Sequence, residues 1–301
     1  MLTEYQAHTL PQGQTPLPWL HRVLPRGRES FQHHVQRAQK LLSEKAFDPK
    51  TSLFITDERG PVGLSVVSGE HDKRSLDLLA IRGDRRRLGL GKQLLSKTLE
   101  NIRKQSVLTL TASNISSANT AVVCLLTAAG FVGAPTGGIR MQRSLNDPLP
   151  AYCEPDGIEI RALNPGEEQA YVDLKNACFV GDGGRAWTCD DFHKEFTQSP
   201  IFDWSRMFVA LENGQMIATA TAWEANYDGP VGLIHWVGTR PECRGKGVGY
   251  TINLRALEEL AALGYAEAYL NTARWRVPAV RLYERQGFSV HREMVNYTLV
   301  L

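Results

Sequence analysis

No apolar run in this chain approaches the ~20 residues that a membrane-spanning helix requires. The amino-terminal residues Met1-Leu2-Thr3-Glu4-Tyr5 place no basic stretch ahead of an apolar one, so neither a secretory leader nor membrane attachment is expected. Cysteine is scarce. The five cysteines, Cys124, Cys153, Cys178, Cys189 and Cys243, are odd in number and none stands in CxxC spacing. That pattern suits neither a disulfide framework nor a zinc cluster. The expectation is reduced thiols in a cytoplasmic protein, with no metal. A strong excess of one charge is also missing, with 34 Lys and Arg against 32 Asp and Glu. The basic residues are scattered and Arg85-Arg86-Arg87 is too short a cluster to mark a nucleic-acid surface, so no nucleic acid is expected.

What is present is an ordinary globular composition, 43% hydrophobic and 22% charged over 301 residues. That length suits two domains, each able to bury its own core. The near-neutral total conceals an asymmetry. Residues 1–150 carry 20 Lys and Arg against 12 Asp and Glu, whereas residues 151–301 carry 14 against 20. One reading is two halves of opposite sign that attract each other. The other is an acidic half that receives a cationic amine and a basic half that favours an anion.

The most informative feature is written twice. Arg86-Arg87-Leu88-Gly89-Leu90-Gly91 and Arg244-Gly245-Lys246-Gly247-Val248-Gly249 both fit Arg-x-x-Gly-x-Gly. Each follows an apolar strand pattern and opens a helical one. From Arg86 to Gly130-Phe131 is 44 positions, and from Arg244 to Gly287-Phe288 is 43. A recurring loop, helix and closing Gly-Phe argue for duplication of a whole domain. The junction falls at Asn146-Asp147-Pro148-Leu149-Pro150, a turn-forming stretch. The predicted domains are therefore 1–148 and 149–301.

The second half reads as a strand over 157–163, helices over 170–179 and 190–197, and strands over 206–211 and 216–223 joined by the Asn213-Gly214 hairpin. A strand over 231–239, a helix over 249–263 with Leu254, Leu257, Leu260 and Ala261 on one face, a strand over 266–270, a helix over 278–286 and strands over 288–300 follow. The first half echoes this from residue 53 onward. Residues 1–30 show little regular pattern. The fold class is α+β, each half a mixed, mostly antiparallel sheet flanked by helices.

A helix mouth offers unpaired N–H groups and the positive end of the helix dipole, and glycines let a diphosphate approach them. Gly245, Gly247 and Gly249 are read as removing three obstructions, with Arg244 and Lys246 adding charge. Gly89 and Gly91 repeat the arrangement with Arg86 and Arg87. A Walker loop would need Gly-Lys-Ser/Thr, and both Gly91-Lys92-Gln93 and Gly245-Lys246-Gly247 fail it. A dinucleotide fingerprint would need a third glycine where Tyr250 stands. An acyl-CoA site is the remaining nucleotide reading.

Here the chain resembles the GNAT superfamily of acyl-CoA-dependent N-acyltransferases. The resemblance is carried by residues 237–249 and by Ala279-Val280-Arg281-Leu282-Tyr283-Glu284-Arg285-Gln286-Gly287-Phe288. It implies acetyl-CoA as donor, with CoA as product. It implies that Arg244, Gly245, Lys246, Gly247, Val248, Gly249 and Tyr250 hold the pyrophosphate. It implies too that the backbones of Val237, Gly238 and Thr239 pair with pantetheine, and that Tyr283 lies near the thioester sulfur as a general acid. In the first half the matching positions are Leu79, Ile81, Arg86, Arg87, Leu88, Gly89, Leu90, Gly91 and Asn119. Leu126 takes the place of the tyrosine there, and leucine has no proton to give. Chemistry is thus expected in the second half. The first half is expected to be catalytically degenerate, either binding CoA without turnover or kept as a scaffold.

A lysine-like amine, pKa about 10.4, costs roughly 4–5 kcal/mol to deprotonate at pH 7. Candidate bases are His235, which would share a strand face with Val237 by period two, and Glu224 and Asp228 ahead of that strand. A base acting through water, or none, stays open. The duplicated architecture resembles the mycothiol synthases, which acetylate a cysteinyl amine. Leu233 stands where those enzymes carry an acidic residue. Residues 181–187 are expected to form a rim over the acceptor. The acceptor is read as a small-molecule or peptide amine, and the protein as a monomer or homodimer. Two other readings compete: a non-catalytic acyl-CoA-binding or regulatory protein, and an NAD-type dehydrogenase.

Overall fold

The computed structural model describes residues 5–9, 47–182, 184–199, 201–224 and 231–301. The chain divides into two compact units, Met1–Gly138 with Arg292–Leu301, and Ile139–His291.

Unit 1 contains β1 (Gln6–Thr9), β2 (Leu53–Asp57), β3 (Gly60–Ser68), β4 (Lys73–Ile81), α1 (Leu90–Arg103), β5 (Thr109–Ser116), α2 (Thr120–Ala128) and the first part of β6 (Val132–Ser144). Its strands run in the order β1-β2-β3-β4-β5, and the last strand of the chain, β12 (Ser289–Val300), pairs antiparallel with β5. β1 supplies the strand that residues 1–30 had not revealed. Pairing of β4 with β5 is parallel and stops at Ser75↔Thr111, although β4 runs on to Ile81.

Unit 2 contains the rest of β6, β7 (Ile158–Ala162), α3 (Glu168–Phe179), α4 (Cys189–Phe192), a wide π turn over His193–Thr197, β8 (Met207–Glu212), β9 (Gln215–Glu224), β10 (Val231–Thr239), α5 (Val248–Ala262), β11 (Glu267–Ala273) and α6 (Val277–Arg285). The order is β6-β11-β10-β9-β8-β7. Asn213 (φ 52°) and Gly214 (φ 79°) form the expected tight turn between β8 and β9. Leu254, Leu257 and Leu260 of α5 are fully buried against the sheet, at about 1.5–3 kcal/mol each. Ala261, expected on that face, is exposed in the last turn of the helix.

The units do not follow the 148/149 division read from the turn-forming stretch. A strand belongs where its backbone hydrogen bonds go. Leu145 N–H donates to the Ala266 carbonyl at the start of β11, which ties 139–145 into unit 2. Residues 294–300 pair with 109–116 of β5, which ties 292–301 into unit 1. Chain junction and structural boundary are therefore different places.

The duplication is visible in detail. Arg86 Nε donates to the Ile81 carbonyl at 3.2 Å, and Arg244 Nε donates to the Thr239 carbonyl at 3.2 Å. α2 and α6 end alike. Gly130 (φ 91°) and Gly287 (φ 84°) take the left-handed position, and the following Phe131 and Phe288 donate their N–H groups back to Leu126 and Tyr283.

Candidate active site

Two features of unit 2 open a slot. The first is a divergence of strands. β10 and β11 pair in parallel only from Val231↔Glu267 to Leu233↔Tyr269, and then part. The edge of β10 facing β11 is left without that ladder from Ile234 onward. The second is a bulge. His235 opposes Thr221 and Gly238 opposes Thr219, so β10 carries one more residue than β9 across that interval. Trp236 absorbs it with φ 49°. The period-two relation expected between His235 and Val237 therefore fails, because the bulge resets the alternation. His235 packs among Trp223, Trp236 and Phe196, while Val237 packs against the core beneath α5.

At the end of β10 the chain turns through Pro241–Cys243 into the loop and α5. Gly245 (φ 82°) and Gly247 (φ 84°) adopt the left-handed region, and a Cβ built on either meets nothing within 4 Å. That is an open cradle at a helix amino terminus. A Cβ built on Gly249 would lie 2.8 Å from Thr239 Oγ1, so this glycine also lets α5 sit close on β10. In unit 1 Gly89 (φ 78°) repeats Gly247, but Arg87 (φ 62°) holds the conformation that Gly245 holds in unit 2.

A cavity of about 880 Å³ joins the divergence to the cradle. Its lining brings together His235, Val237, Gly238, Thr239, Arg244, Gly245, Gly247, Val248, Gly249, Tyr250 and Tyr283. Lys246 is not part of it, because its Nζ is turned to the carboxylate of Glu212 at 3.2 and 3.4 Å. Glu224 ends β9 opposite Gly232, its side chain is outside the described residues, and so is Asp228. Of the expected rim, Gly184, Arg185 and Trp187 line the cavity, and Gly183 is outside the described residues.

The unit 1 positions form their own set. Leu79 and Ile81 pack against the core, and Leu90 is buried. Gly91 would place a Cβ 3.7 Å from Leu125 and 3.8 Å from Ile81. Leu88 is exposed. Asn119 caps α2 by accepting from the Val122 N–H at 3.4 Å, which gives its side chain a structural task.

Tyr283 is 6% exposed, with its ring edge-on to Phe288 at 6.0 Å. Burial pushes its hydroxyl up to about 12, so it is a proton donor throughout the physiological range. Its helix is anchored from below. Arg143 of β6 donates to the Gln286 carbonyl, and Gln286 Nε2 donates to the Tyr250 carbonyl at 2.8 Å.

Two residues that the sequence reading missed complete the site. Glu195, in the π turn, accepts from His235 Nε2 at 3.0 Å and from Trp236 Nε1 at 3.3 Å. The hydrogen bond from His235 holds the Glu195 carboxyl below its usual range. An ionised carboxylate only accepts, so Nε2 carries the hydrogen of this contact. Lys175 of α3 is 2% exposed, lines the cavity, and is lowered to about 8 by burial and the nearby Arg185. Among the described residues no Asp or Glu lines this cavity.

Residues 170–288 match the family model "Acetyltransferase (GNAT) family". The match covers one segment of the second half and leaves the rest of the chain outside it. The matched segment spans the slot, the cradle and Tyr283. Among related sequences, the mycothiol acetyltransferase of Thermobispora bispora is 35% identical over 156 residues, 50% of this chain and 52% of that protein. The chain spans about half the length of that relative. The mycothiol acetyltransferase of Segniliparus rotundus is 27% identical over 268 residues, 85% of this chain and 98% of that one. Among solved structures, a tandem GNAT protein from the clavulanic acid biosynthesis pathway superposes with a TM-score of 0.66 at 17% identity, covering 99% of this chain and 98% of that one. A GCN5-related N-acetyltransferase from Sphaerobacter thermophilus gives 0.61 at 21% identity, covering 98% and 95%. The fold over the full chain is that of tandem GNAT proteins, and no helix among the described residues is long and apolar enough to cross a membrane.

Proposed function

We propose that unit 2 transfers an acetyl group from acetyl-CoA to the primary amine of a small molecule or peptide, and that unit 1 does no chemistry. The observation that carries this reading is the open cradle at Gly245 and Gly247, continuous with an unpaired strand edge and a buried phenol. A diphosphate fits the cradle because helix N–H groups and Arg244 face a space with no Cβ in it. Pantetheine, an extended amide chain, fits the edge of β10 that β11 leaves. Acetyl-CoA, when bound, supplies an activated acyl carbonyl.

The protein's own groups then have separate tasks. His235 Nδ1 takes the proton of the acceptor ammonium, while Glu195 fixes the ring and stabilises the imidazolium that forms. As the free amine attacks the acyl carbon and the C–S bond breaks, Tyr283 gives its hydroxyl proton to the departing sulfur, and the proton shed by the new amide nitrogen restores the phenol. A donor near pKa 12 suits only a thiolate that is itself poorly solvated, and the dry wall around Tyr283 provides that. Positioning amine and thioester together supplies much of the remaining acceleration. Unit 1 has buried Leu126 where unit 2 has Tyr283, which supports a non-catalytic role for it.

The test is direct. The protein is incubated with acetyl-CoA and a panel of amines, and products are read by mass spectrometry for a gain of one acetyl group. Acetyl-CoA binding without any acetylated product would favour the binding or regulatory alternative.

A further inference from the structure

Lys175 stands out because none of the described residues forms an ion pair with it. Its Nζ lies 3.8 Å from the centre of the Trp187 ring and 4.7 Å from that of Trp236. Aromatic faces attract a cation but do not cancel its charge. The two carboxylates whose charges act on it are both committed elsewhere. Asp191 receives both arms of Arg185 at 2.7 and 3.0 Å, and Glu195 is shared by His235 and Trp236. Among the described residues none forms an ion pair with Lys175. A buried ammonium without an anion is costly unless a ligand brings one.

Its position says which ligand. Trp236, whose ring Lys175 covers, shares Glu195 with His235, so the ammonium sits at the proton-accepting end of the cavity. The cradle for phosphates at Gly245 and Gly247 lies on the loop that follows β10. We propose that the acceptor is a primary amine that also carries an anionic group, such as a carboxylate or phosphate, and that Lys175 between Trp187 and Trp236 binds that group. This inference rests on the acetyltransferase reading and narrows its substrate class.

The experiment compares matched acceptors that differ only in the anion: β-alanine with β-alaninamide, 4-aminobutyrate with its amide, and phosphoethanolamine with ethanolamine. The wild type is expected to favour the anionic member of at least one pair by about 10- to 100-fold in kcat/KM, the range of a charged hydrogen bond. Lys175→Met should collapse that ratio towards one, Lys175→Arg should keep most of it, and the KM for acetyl-CoA should not move in either. Lys175→Gln serves in place of the methionine variant if the latter does not fold. Equal use of both members by the wild type, or a preference that survives Lys175→Met, overturns the inference and leaves acetyl transfer standing. A raised KM for acetyl-CoA alone would assign the cation to the donor and also overturn it. Acetylation of no amine at all, with acetyl-CoA bound, removes the acetyltransferase reading and this inference together.

Discussion

Glu195 Oε1 stands 3.0 Å from His235 Nε2 across 40 residues of sequence, and the same oxygen takes the Trp236 indole N–H at 3.3 Å. One carboxylate therefore holds both residues at the β10 bulge. Glu195→Gln should keep the fold but lose the charge that favours the imidazolium. A fall in kcat of roughly tenfold, with KM for acetyl-CoA unchanged, is expected; His235→Ala should lose about 10² or more. Unaltered kcat in both variants would leave the reaction without this base.

Tyr283→Phe should lower kcat by about 10²–10⁴ while leaving the melting temperature and acetyl-CoA binding near those of the wild type. With the hydroxyl pushed up to about 12, the tyrosine stays protonated, so no alkaline fall in rate below about pH 11 should vanish in the variant. Steady-state kinetics from pH 6 to 11, with melting curves and acetyl-CoA binding measured on both proteins, check these points.

Lys175→Met should raise stability, and the sign depends on pH in a defined way. Burial lowers the folded-state lysine to about 8, below its ordinary 10.4. The folded state thus resists the charged form, and this penalty is full below about pH 8 and gone above the unfolded value. The gain in melting temperature should be larger at pH 7 than at pH 10.5. An equal gain at both would mean that packing, and no charge, is responsible.

Gly249→Ala should destabilise unit 2 by about 1–3 kcal/mol, because the new methyl meets Thr239 Oγ1 at 2.8 Å. Gly91→Ala in unit 1 should be nearly neutral, since its nearest neighbours are 3.7 Å away. Denaturant unfolding distinguishes them.

Much of this architecture was legible in the chain, and for local reasons. The Asn213-Gly214 turn, the strand over 231–239 and the two glycine loops are each set by residues adjacent in sequence. The helix that carries Tyr283 was legible through its spacing to Gly287-Phe288. What escaped was non-local. Glu195 is an ordinary polar residue of a helical stretch until folding brings it to His235. The extra residue at Trp236 leaves the hydropathy of β10 unchanged. Nor does any turn signal mark where β12 passes from one unit to the other, because strand pairing is chosen by partners more than a hundred residues away. The close packing of Gly249 on Thr239 was hidden for a related reason: a glycine that admits a ligand and one that admits a neighbouring strand look identical in sequence.

The central claim is that the helix mouth at Gly247 is where the thioester donor is held for reaction. It is tested most directly by measuring CoA release from acetyl-CoA, in the presence of an accepted amine, for Gly247→Glu beside Gly89→Glu. The account predicts no turnover from Gly247→Glu, whose carboxylate enters the cradle, and near wild-type turnover from Gly89→Glu. Wild-type release by Gly247→Glu, or its loss only in Gly89→Glu, would place the chemistry in unit 1 and contradict the account.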